Sequence, residues 1–247
     1  MARISKSVIG KISGTLGDVA FRQVNGKTIL VQKTKSFIPG TDAESVWRRE
    51  RFGIAVKLSQ AIYSIPELKT LWQKVVPRDK SAYNFILRSN LRLIPNTVPL
   101  VEKGPILGSV LLAPDFGFDV KIKSANMSAD SLAVELAAMG APAATVANAF
   151  PEGPGGINSP GESKAKLVAL LCLSGPTNIS LDKFKFIGYS SDPAELTSDA
   201  PLRLIVRFAP KDLPLISNYR DKNFFFSLVT LDNEGSPVRH TKTTQAI

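Results

Sequence analysis

From Pro95 onward the chain breaks into short apolar runs that no long helix could use. They are Ile106–Leu112, Phe118–Ser124, Ser131–Ala138, Thr145–Phe150, Lys164–Leu173, Asp182–Tyr189, Leu202–Phe208, Asn223–Leu231 and a weaker Pro237–Thr243. Gly, Pro, Asn or Asp separates most of them, and β-branched or aromatic residues fill many. Many short strands between turn residues predict antiparallel sheets stacked as a sandwich. Ser131–Ala138 is rich in Ala and Leu and could be helical on propensity, but its place between two strand-like runs favours a strand. The segment Pro151–Ser163 holds Pro, Gly and Ser in a pattern that supports neither ladder nor helix. It reads as a long exposed loop or as a boundary between two small β units.

The first hundred residues have a different texture. Asn25-Gly26 lies between two strand-like segments, and both residues tolerate the positive φ of a two-residue hairpin turn. The register that follows pairs Val24 with Lys27, Phe21 with Leu30 and Asp18 with Lys33. Gly10, Gly14 and Gly17 precede this hairpin as turn glycines. Two strands alone are marginal in water, so the hairpin is expected to lie against something larger. Thr41-Asp42-Ala43-Glu44 then reads as a capping box. Trp47, Ile54, Ala55, Leu58, Ala61 and Ile62 follow at helical spacing. Ser64-Ile65-Pro66-Glu67 starts a second helix, with Pro in its first turn, and Ser81–Asn90 reads as a third.

Charge divides the chain at nearly the same place. Residues 1–103 hold 18 Lys and Arg against 7 Asp and Glu, a net +11, whereas residues 104–247 hold 13 against 14, a net −1. A polyanionic partner would therefore meet the first hundred residues. Lys11, Arg22, Lys27, Arg48, Arg49 and Arg51 are the candidate contacts. Arginine suits two-pronged phosphate binding, so nucleic acid is a physically available partner. The alternative is a solvated helix face paired with acids of a neighbouring subunit. No zinc finger, basic zipper or RNA-recognition sheet motif is present.

Catalytic and cofactor chemistry lacks parts. One cysteine, Cys172, and one histidine, His240, leave no zinc set of the usual kind and no disulfide. Cys172 sits in Val-Ala-Leu-Leu-Cys-Leu, where a buried inert thiol is expected. The glycines near the N-terminus match neither a phosphate loop nor a dinucleotide fingerprint. Asp115 and Asp119 flank Phe116-Gly117-Phe118, where turn chemistry accounts for them. A non-enzymatic protein without cofactor is the expectation. The basic start has no signal-peptide apolar run and no segment reaches bilayer-spanning length, so synthesis in the cytoplasm is expected. In Phe224-Phe225-Phe226 at least one ring must leave the main core, either to cover a second sheet or to meet a partner. Phe21 and Phe225 are the apolar interface candidates.

The opening Gly10-Lys11-Ile12-Ser13-Gly14-Thr15-Leu16-Gly17-Asp18-Val19-Ala20-Phe21-Arg22, followed by Asn25-Gly26-Lys27, resembles that of a family of Bacteroidota proteins. Arg48-Arg49-Glu50-Arg51-Phe52 and the helix from Ala82-Tyr83-Asn84-Phe85 to Asn90 are similar to later parts of it. The resemblance implies an architecture of hairpin arm, helices and a β-sandwich-like region, and carries no activity. The expected fold is thus β-rich α+β. A basic hairpin and helical module over 1–103 precedes an antiparallel immunoglobulin-like sandwich, one or two units, over 104–247. The expected role is a structural or scaffold subunit, in a phage-like particle or a cell-associated assembly, that joins its neighbours through the N-terminal arm. The alternative is a nucleic-acid-binding accessory protein using residues 1–92.

Overall fold

The computed structural model describes residues 2–4, 14–24, 27–32, 38–97, 107–115, 117–120, 122–136, 162–178, 180–196 and 202–246. The chain is a β-rich α+β protein with antiparallel sheets, and it divides into two compact units, Met1–Val46 and Trp47–Ile247. The expected boundary near residue 103 is therefore not where the chain divides. The helices that follow Trp47 share a core with the later strands, so they belong to the second unit.

The first unit is a four-stranded antiparallel sheet made of β1 (Ala2–Ile4), β2 (Gly14–Leu16), β3 (Val19–Val24) and β4 (Lys27–Gln32), in the order β1-β4-β3-β2. Val24 pairs with Lys27 and Phe21 with Leu30, the register expected from the sequence. The Asn25-Gly26 turn, Lys33, Gly10 and Lys11 lie outside the described residues. A second hairpin joins β2 to β3 through Gly17-Asp18, and Gly17 has φ +58°, where a side chain would be strained.

Helix α1 (Ala43–Tyr63) starts one residue later than the Thr41 capping box implies. Asp42 is the cap: its carboxylate accepts the Ser45 amide at 2.8 Å, and its carbonyl accepts the Val46 amide.

In the second unit, α1 continues into α2 (Pro66–Val75) and α3 (Ala82–Leu93). The central sheet is built on two 13-residue strands, β7 (Lys164–Pro176) and β11 (Tyr219–Leu231), paired along nearly their whole length. β8 (Phe184–Ser190) and β9 (Ala194–Glu195) extend it beside β7, while β12 (Pro237–His240) and β13 (Thr244–Ala246) pair with β11. A separate three-stranded sheet holds β5 (Ile122–Met127), β6 (Ser131–Leu136) and β10 (Arg203–Arg207), in the order β10-β6-β5. A short helix, α4 (Leu213–Ser217), leads into β11.

The central sheet is covered on both faces. From β7, Val168, Leu170 and Cys172 join Phe225, Val229 and Phe186 against Trp47, Leu58, Ile62 and Trp72 of the helices. The alternate residues Leu167, Ala169 and Leu171 join Phe224, Phe226 and Leu228 against Leu132, Val134 and Val206 of the smaller sheet. The layers are helices, central sheet and small sheet, with two apolar cores between them. Burial on both faces explains why β7 and β11 read as continuous apolar runs. Gly188 of β8 lets the helices approach closely; a Cβ there would lie 2.8 Å from Ile65.

The strand expected at Ile106–Leu112 is not a strand over its described residues, 107–112. Leu107, Val110 and Leu112 are buried in the helical core as an irregular segment. Its backbone groups find side-chain partners: Asn90 of α3 bonds both the amide and the carbonyl of Leu111, and Trp72 Nε1 donates to the Leu112 carbonyl at 2.7 Å. Ser131–Leu136 is a strand and not a helix. The run Thr145–Phe150 and all of the Pro151–Ser163 loop except Glu162 and Ser163 lie outside the described residues.

Candidate functional site

Strand alternation sorts the N-terminal sheet into two faces. The register places Leu16 beside Val19 on one face, together with Phe21, Thr28 and Leu30. The other face carries Ala20, Arg22, Val24, Lys27, Ile29 and Val31. Leu16 is 74% exposed, and Val19, Phe21 and Leu30 are half-buried. Among the described residues of this sheet, Thr28 alone is buried. One face thus presents a row of apolar side chains, while the cations Arg22 and Lys27 stand exposed on the opposite face. The outer strands β1 and β2 are three residues each. Short edges give a neighbouring strand little to pair with.

The sequence-derived contacts part company in the second unit. Arg51 points inward to the C-terminal end of α3, where Nε donates to the Ile94 carbonyl at 2.9 Å and Nη2 to the Leu91 carbonyl. A cation there meets unsatisfied helix carbonyls and the negative end of the helix dipole. Arg51 is accordingly a structural cap for α3 and not a surface contact. Arg48 and Arg49 are exposed on α1, with Phe52, 52% exposed, one turn further along. Phe225 is 2% exposed and packs under the helices. The surplus ring of Phe224-Phe225-Phe226 therefore covers an internal layer and is not at a partner-facing surface.

Cys172 and His240, which sequence reasoning set aside as catalysts, are interior. Burial pushes the Cys172 thiol well above the ordinary value of a thiol, and a thiol held neutral is a poor nucleophile. Burial lowers the His240 pKa, partly offset by its contact with the Thr241 carbonyl. Tyr189 donates to Asp212 at 3.0 Å, and its burial, with that bond, raises its pKa. Asp119 pairs with Lys242 at 3.0 Å on the surface. Among the described residues no three His, Cys, Asp or Glu side chains gather as metal ligands. No helix among them is long and apolar enough to cross a membrane.

Two further features were not legible in the sequence. Glu162 has a fully buried side chain that takes both prongs of the Arg239 guanidinium at 2.6 Å, and it also accepts from the Thr230 hydroxyl. The same guanidinium lies over the Phe118 ring, 5.0 Å from its centroid. These partners come from four separated segments, so only folding brings them together. The second feature is a cavity of about 60 Å³ between the sheets, lined by Leu167, Leu204, Phe226 and Leu228. A small-molecule site commonly has at least ~300 Å³, so this space suits water or a methyl group.

Comparison with protein-family models, curated proteins and solved structures finds no match.

Proposed function

We propose that the protein is a structural subunit that assembles with copies of itself through the apolar face of its N-terminal sheet. The observation behind this reading is the row Leu16, Val19, Phe21 and Leu30, exposed or half-buried on a face whose cations lie on the other side. An antiparallel sheet with an uncovered apolar face is stabilised when a helix layer or a second sheet covers it. The same face of a second copy supplies such a cover, with sheets about 10 Å apart. In that arrangement Arg22 and Lys27 of both copies point outward and do not repel across the contact. The three-residue edges favour stacking of faces over strand addition. A twofold arrangement needs no second kind of surface.

Sedimentation of the full chain at about 10 µM tests this, a concentration that detects association of about −7 kcal/mol or stronger. A dimer or larger species is expected, and Phe21→Asp or Leu30→Asp should convert it to monomer without altering the helical signal. A wild-type monomer throughout the micromolar range would overturn the proposal. So would a monomer in which Phe21→Asp destabilises the second unit, because the sheet would then rest on its own chain.

A further inference from the structure

The charge of this molecule is carried by its helices more than by any other layer. Residues 47–95 hold ten Lys and Arg against three Asp and Glu, a net +7, whereas residues 96–247 are close to neutral at −1. Two of the three acids in the helical region are already engaged by the sheet region: Glu50 with Lys183 at 2.9 Å and Glu67 with Lys166 at 2.6 Å.

Contacts between α1 and α3 locate those cations. Tyr83 reaches the Val56 carbonyl, Arg51 reaches Leu91 and Ile94, and Trp47 Nε1 donates to the Pro95 carbonyl at 3.3 Å. The two helices therefore run antiparallel side by side, and Tyr63 packs edge-on to Tyr83 at one end. This places Phe52 level with the Leu87–Leu91 turn. Arg88 and Arg92 are exposed on α3, one turn apart; Arg48 and Arg49 are exposed on α1, one turn before Phe52. Phe52, Arg88 and Arg92 are thus all exposed on the two antiparallel helices, at a similar level along their axes.

The geometry points to single-stranded nucleic acid as the ligand of this face: phosphates on Arg88 and Arg92 and a base stacked on Phe52. Arginine provides paired donors for phosphate, and every base offers a π face to an aromatic side chain. A duplex hides its base faces and would leave Phe52 unused. An acidic protein or a lipid headgroup would use the cations and make no demand for stacking. The site is separate from the apolar face of the N-terminal sheet, and neither proposal rests on the other.

Fluorescence anisotropy of the full chain with a labelled oligothymidylate about 20 nucleotides long tests it. Binding is expected at roughly 50 mM salt and should weaken by at least about tenfold by roughly 200 mM. Replacing Arg88 and Arg92 together by Gln should lower the logarithmic salt slope by about 1.4. Phe52→Ala should weaken binding about tenfold and leave that slope unchanged. These are exposed positions, and an unchanged circular dichroism spectrum confirms that each variant is folded. Four outcomes would each overturn the assignment: no binding at the lower salt; duplex preferred over single strand; retention on phosphatidylserine vesicles without oligonucleotide binding; or loss through Arg22→Gln and Lys27→Gln while Arg88 and Arg92 prove silent.

Discussion

The N-terminal sheet and the central sheet of the second unit are built from the same elementary parts. Each is antiparallel, and each places apolar residues on both faces. In the central sheet, alternate residues of β7 and β11 enter two separate cores, and Leu167–Leu171 and Phe224–Val229 are buried throughout. In the N-terminal sheet a matching register leaves Leu16 and Val24 exposed and most other described side chains half-buried at best. Strand pairing is a local achievement of turn and alternation, and it sets a register without supplying much stability. Stability comes from the layers that cover the faces.

The largest test of that contrast compares two phenylalanines. Phe225→Ala should cost about 3–5 kcal/mol in denaturant unfolding of the second unit. Phe21→Ala should change the same transition by no more than about 0.5 kcal/mol. Equal effects would mean that the two sheets share one cooperative core. Next in size, Glu162→Gln leaves the Arg239 guanidinium without its carboxylate, and a loss of about 3 kcal/mol is expected in the same assay. Gly188→Ala forces a methyl against Ile65 and should cost about 2 kcal/mol, because the helices must shift off β8. In the first unit, Gly17→Ala strains a left-handed turn and should cost about 1 kcal/mol. That loss would be read as weaker assembly and not as a shift in the main transition.

The smallest effect concerns pH. Burial holds the His240 imidazole below its ordinary value of 6.5. The unfolded chain then takes up this proton at higher pH than the native one. Stability is complete above the unfolded value and falls as pH drops through the folded one. Unfolding curves of the wild type should therefore weaken on acidification below about pH 6.5, and His240→Gln should flatten that part of the profile. An identical profile in the variant would show that other groups carry the acid sensitivity.

Much of this architecture could be read from residues in order. The register at Val24–Lys27, the helix from Trp47 to Ile62, and the runs that became β6, β7, β8, β10 and β11 all follow from periodicity and turn chemistry. What could not be read depends on partners distant in sequence. The irregular course of residues 107–112 looks strand-like until Asn90 and Trp72 take its backbone bonds. Arg51 belongs to a basic cluster in sequence, but a helix end forty residues away takes it. The β2–β3 hairpin had a legible signal in Gly17-Asp18, a turn-forming pair between two extended segments. At the candidate surfaces, Phe21, Arg48 and Arg49 were among the candidates named from the sequence. Arg88 and Arg92 were legible only as cations, and their level relative to Phe52 needed the antiparallel packing of α1 and α3.

The interleaving of the layers has a consequence for synthesis on the ribosome. α1, α2 and α3 emerge first, yet the strands they cover begin at Lys164 and end at Leu231. At about 5–20 residues per second, Trp47, Leu58 and Trp72 wait on the order of ten seconds for β7 and β11. During that interval a nascent chain bears three helices whose sheet-facing residues lack their cover. Holding chaperones would have most to bind before the last third is made. A truncation ending before Lys164 should accumulate in aggregates, whereas loss of the first forty residues should leave the body soluble.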